Sequence, residues 1–82
     1  MHTSIMEIVT EVVRITFKQP DVLITRETTA DMVSGWDSLS HALLLMKLEE
    51  AFSIQFVPME VVELENVGDL ADIIEHKMAE HI

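Results

Sequence analysis

Ser38 is the residue of this sequence best placed to do chemistry. It lies in the run Gly35-Trp36-Asp37-Ser38-Leu39, and His41 follows one helical turn later. A serine and a histidine on successive turns suggest a nucleophile and its base. Hydrolysis asks for more than a dyad. The chain has no Gly-x-Ser-x-Gly elbow and no evident oxyanion hole, and 82 residues are too few to enclose a substrate cleft. His41 is therefore expected to be a packing residue, partly buried beside Trp36. A second chemistry is compatible with Ser38. The first amides of a helix lack intrahelical partners, and the macrodipole makes that end favourable for an anion. A phosphate diester on a serine at a helix start would sit in such a site, and Gly35 lets the backbone turn tightly just before it. The plain alternative is a serine that merely opens a helix. Asp37 is expected as the N-cap of that helix, a role worth about 1 kcal/mol in general.

Other groups carry less. His76 and Glu80 are one turn apart, but no further ligands converge on them, so no metal site is expected. Asp31, Ser34 and Asp37 lack EF-hand spacing, and Gly35 is misplaced for one. There is no glycine-rich phosphate loop. Zero cysteines exclude disulfide scaffolds, cysteine zinc sites and thiolate catalysis. Five basic residues against 15 acidic ones give a net charge of −10. That balance argues against nucleic acid and against an anionic membrane surface, and it favours partners with basic patches. The longest apolar run, Ala42 to Met46, is far short of a membrane span. Residues Met1 to Glu7 lack the basic start and apolar core of a signal peptide. The expectation is a soluble cytoplasmic protein, acting as a monomer.

The elements that must position Ser38 are helical. At 49% hydrophobic the chain should fold, and its length suits one domain over residues 1–82. Two glycines and two prolines are too few for a turn-rich β fold. Ser4 and Glu7 have capping-box spacing, and Ile5, Ile8, Val9, Val12 and Thr16 follow at helical spacing until Pro20. Residues 19–37 show no steady period, with Val22, Leu23 and Ile24 expected to tuck into the core. The second helix is expected from Asp37 or Ser38 to about Phe52. Ala42, Leu44, Leu45, Leu48 and Phe52 form its core arc, and Leu39, Leu43 and Met46 fall on another. A short helix from Pro58 to about Glu63 follows, with proline in its first turn. Asn66 is the expected N-cap of the last helix, whose buried stripe is Val67, Leu70, Ile73, Ile74 and Met78. Glu60, Glu63 and Glu65 are read as a solvated face. The sum is an all-α fold, a small four-helix bundle of three main helices and one short one, with a long loop between the first two.

In these residues the chain resembles the acyl carrier proteins. Asp37-Ser38-Leu39 matches their Asp-Ser-Leu signature at the head of the second helix. Leu48-Glu49-Glu50-Ala51-Phe52 resembles the family's ending of that helix, with Phe56 as the buried apolar residue after the turn. Asn66-Val67-Gly68-Asp69-Leu70 resembles the start of its final helix. The likeness covers nearly the whole chain, including the long first loop. The tripeptide alone is common, but at the head of an amphipathic helix in an acidic chain of this length it is specific.

The resemblance implies a protein that is not itself an enzyme. Ser38 would carry 4′-phosphopantetheine, transferred from coenzyme A by a phosphopantetheinyl transferase, and the thiol of that arm would hold an acyl group as a thioester. Asp37 would also assist the transferase, close to its magnesium ion. Helix two would be the docking surface for the transferase and for acyl-loading and acyl-processing enzymes, through Leu39, Leu43, Met46, Glu49 and Glu50. Leu43 stands where glutamate is common in the primary fatty-acid carriers, and Lys47 also departs from the acidic pattern. These departures imply a discrete carrier for a specialised fatty acid or polyketide-type pathway. A peptidyl carrier is the near alternative, and an unmodified acidic adaptor docking through helix two is the distant one. Aliphatic residues between the helices are compatible with sheltering an acyl chain.

Overall fold

The computed structural model describes residues 4–62 and 64–79. Its elements are α1 (Ile5–Phe17), α2 (Ser38–Phe52), α3 (Pro58–Val61) and α4 (Val67–Ala79), with a 3₁₀ turn at Ala30–Met32 in the long connection. There are no strands among the described residues. This is the expected all-α bundle of three main helices and a short one.

Each helix starts and stops for a local reason. Ser4 Oγ accepts the Glu7 amide at 3.1 Å, the N-cap half of the expected box. The stop of α1 is earlier than the proline predicted. Lys18 adopts a left-handed conformation (φ 55°), and the Gln19 amide reaches back to the Arg14 carbonyl at 3.0 Å. That closure satisfies end carbonyls before Pro20 is reached. Pro58 opens α3 in the first-turn position that tolerates it. Glu63, the expected end of α3, lies outside the described residues. At α4, Asn66 Oδ1 accepts the Asp69 amide at 2.9 Å, as its N-cap role requires.

α1 packs on both α2 and α4. Val9, Val13 and Phe17 meet Leu44, Leu48 and Phe52, with Ile54, Val67, Leu70 and Ile74 completing the core. Three expectations for this core need correcting. Ala42 is exposed, because the inward arc of α2 is narrower than the wheel suggested and is filled by Leu44 and Leu48. Leu23 is exposed while Val22 and Ile24 are half-buried, since an extended segment turns alternate side chains outward. Met78 is exposed in the last turn of α4, beyond the buried part of its stripe.

The long connection is held by the start of α4. The Val67 and Gly68 amides donate to the Thr28 and Arg26 carbonyls, both at 2.8 Å. Thr28 is itself buried, and its Oγ1 accepts the Thr25 amide at 2.9 Å. Arg26 then pairs with Asp72 at 2.8 Å. Val33 follows into the core, which brings the chain to the head of α2. The short helix is tied as well. Glu60 Oε1 accepts the Val57 amide and pairs with Lys77, each at 2.8 Å. Glu60 is therefore part of the packing rather than of a solvated face.

Candidate functional site at the head of the second helix

The turn into α2 is built by Gly35 and Asp37. Gly35 has φ +90°, a conformation that side chains disfavour. Asp37 is extended and caps the helix, accepting the Ser40 amide at 2.9 Å. That Ser40 N–H bond holds the Asp37 carboxyl below the usual aspartate range. Ser38 is the first residue of α2 and is exposed. Among the described residues no acceptor meets its own amide. The contrast with α4 is informative, because there the first amides are consumed by the Arg26 and Thr28 carbonyls. At α2 the Asp37 carboxylate takes the Ser40 amide, which leaves the Ser38 amide as the open group of the first turn.

Beside Ser38 opens a groove of about 410 Å³, lined by Ala30, Trp36, Asp37, Ser38 and His41. Trp36 is fixed on two sides. The indole stacks on Phe17 with ring centroids 5.0 Å apart, and its Nε1–H donates to His41 Nδ1 at 3.0 Å. Burial lowers the His41 pKa, which favours the neutral ring that can accept this bond. The packing role expected for His41 is thus found. No hydrogen bond joins Ser38 to His41 among the described residues, so the dyad of a hydrolase is not assembled. Trp36 and Ala30 also line a second space of only about 40 Å³, bounded by Leu64, Val67 and Leu70 among others.

The other candidate residues fall into two groups. Leu39, Leu43 and Met46 are 83%, 46% and 59% exposed, so they are indeed off the core face. Glu50 is exposed along the same side, continuing their spacing. Glu49 differs, because it is half-buried and its Oε2 accepts the Phe56 amide at 2.8 Å. It fastens the turn after α2. Among the described residues no cluster of His, Cys, Asp or Glu could hold a metal; Glu80 of the His76 pair lies outside them. No described helix is long and apolar enough to cross a membrane.

Ala30 and Phe17 were not anticipated at this site. Phe17 reads in sequence only as the last apolar residue of a helix, and Ala30 as part of an aperiodic loop. Only the folded path of the chain brings Phe17 against Trp36 and Ala30 into the same groove.

An exposed serine at a helix start and a groove with room beside it are compatible with a phosphopantetheine group at this end of α2. Residues 4–74 match the family model for the phosphopantetheine attachment site. The fold is similar to the solution structure of a holo acyl carrier protein from Geobacter metallireducens. That protein is 40% identical, with a TM-score of 0.85, over 93% of this chain and 91% of the other. No curated protein sequence matches the chain significantly. The chain belongs to the acyl carrier protein family, whose members are non-catalytic carriers with phosphopantetheine as their cofactor. Interaction with enzymes of synthesis and transfer is what such carriers exist to do.

Proposed function

We propose that this protein carries acyl groups as thioesters on a 4′-phosphopantetheine arm attached to Ser38. The observation that carries the reading is the exposed Ser38 hydroxyl at the first position of α2, with its own amide open and Asp37 capping the turn beside it. When attached, the arm supplies the thiol to which the acyl group is bonded. Asp37 fixes the helix start and places a carboxylate next to the hydroxyl for the transferase and its magnesium ion. The exposed row of Leu39, Leu43, Met46 and Glu50 is the docking face for the transferase and the acyl-loading and acyl-processing enzymes. Glu49 contributes to that face while holding the Phe56 amide.

The apolar character of this row favours a dedicated set of partners, and thus a discrete carrier in a specialised fatty acid or polyketide-type pathway. Net charge −10 supports partners with basic patches. Such a protein would work in the cytoplasm as a monomer.

A thiol count tests the reading directly, because the chain contains no cysteine. Incubation with coenzyme A, magnesium and a broad-specificity phosphopantetheinyl transferase, followed by removal of free coenzyme A, should raise reactive thiol from none to one per chain. Protein that remains free of thiol with this and with a cognate transferase would contradict the proposal.

A further inference from the structure

We propose that His41 is the side chain that receives the phosphate linkage on Ser38, a positioning residue whose tautomer is set by Trp36; this rests on the reading of Ser38 as the attachment serine. Among the described residues five line the groove beside Ser38, and four of them offer that linkage no free donor side chain. Ala30 has no polar side-chain atom. The Trp36 N–H is already donated to His41. Asp37 is a carboxylate held in its ionised form by the Ser40 N–H, so it accepts hydrogen bonds and repels phosphate. The Ser38 oxygen becomes the ester itself. No lysine or arginine lines the groove, in a chain that carries −10.

His41 is left, and the structure fixes which of its nitrogens is available. An indole N–H can only donate, so the ring nitrogen that meets it must be unprotonated. With Nδ1 accepting from Trp36, the neutral imidazole carries its proton on Nε2. Among the described residues no protein group accepts from Nε2. Side chains three apart on a helix lie about 5–6 Å from one another at Cβ, within reach of a phosphate on Ser38. The Nε2–H then donates to a phosphate oxygen, a bond strengthened by the charge of its acceptor. Phe17 holds the indole by stacking, the indole holds the imidazole, and the imidazole sets the direction in which the attached group leaves the helix.

Imidazole nitrogen NMR of the protein before and after transferase loading tests this, with intact mass recorded for every sample. In unloaded protein His41 should be the Nε2–H tautomer. Loading should move its Nε2 signal and raise its titration midpoint by roughly 0.5 unit, the effect of one negative charge about 6 Å away in a water-like dielectric. Asp37, the other ionisable group in the groove, is present in both states, so the difference reports the phosphate. Trp36→Phe keeps an aromatic ring against Phe17 but removes the N–H. It should give mixed tautomers and a smaller rise. A full mass gain with unchanged His41 signals and midpoint would overturn the assignment while leaving Ser38 as the attachment site. Unaltered tautomer in Trp36→Phe would overturn the role of Trp36. No mass gain at all would overturn the Ser38 reading and this assignment with it.

Discussion

Gly68 donates its amide to the Arg26 carbonyl at 2.8 Å, and a Cβ at Gly68 would lie 2.9 Å from both that oxygen and the Arg26 Cβ. The glycine is needed for close approach, since it is what lets the long connection lie against the first turn of α4. Gly68→Ala must push the loop away from backbone that cannot yield. A loss of about 1–3 kcal/mol is expected from such overpacking, read as a lower urea midpoint at unchanged slope.

The two sides of α2 should respond oppositely to truncation. Leu48 is fully buried, so Leu48→Ala should cost about 2–5 kcal/mol. Leu39 is 83% exposed, and Leu39→Ala should change stability by less than about 0.5 kcal/mol. If Leu39 belongs to the docking face, its variant should nonetheless be loaded more slowly by the transferase. Thermal melts beside a loading time course separate the two effects.

Asp37 ties the helix start to acid stability. Its carboxyl is held below the ordinary value of 3.8, first by the Ser40 backbone N–H. A depressed folded-state pKa gives stability that is full above the unfolded value and is lost as pH falls through the folded one. Melting temperature should therefore decline below about pH 4 partly on account of this group. Asp37→Asn keeps a capping oxygen and removes the titration, so its decline over the same window should be shallower.

Trp36 is the sole tryptophan, so its fluorescence reports the bond to His41 without interference. Burial lowers the His41 pKa from the ordinary 6.5, which places protonation below that pH in the folded protein. Protonated Nδ1 cannot accept from the indole. Emission should stay constant from pH 8 to about 6.5 and change below it. The unfolded chain takes up this proton first, so stability also falls with pH until the folded ring is protonated. His41→Gln should abolish the fluorescence step.

Much of this arrangement was legible from local signals. Ser4, Asp37 and Asn66 announce helix starts because each cap needs only its own side chain and an amide three residues on. The same locality made Ser38 visible as the opening residue of α2. Contacts set by the chain path were hidden. Nothing in residues 19–37 signals that Thr28 is buried or that Arg26 and Thr28 supply acceptors to α4. Phe17 and Trp36 likewise meet only because α1 and the loop converge. The helical wheel placed Leu44 and Leu48 correctly but overstated Ala42, since periodicity gives the centre of a buried arc better than its width.

The measurement that tests the central claim most directly is intact mass with peptide mapping of wild-type and Ser38→Ala protein. Both are incubated with coenzyme A, magnesium and the transferase. The account predicts a gain of one phosphopantetheine in the wild type, mapped to the peptide that contains Ser38, and none in the variant. An equal gain in Ser38→Ala, or modification mapped to another residue, would contradict it.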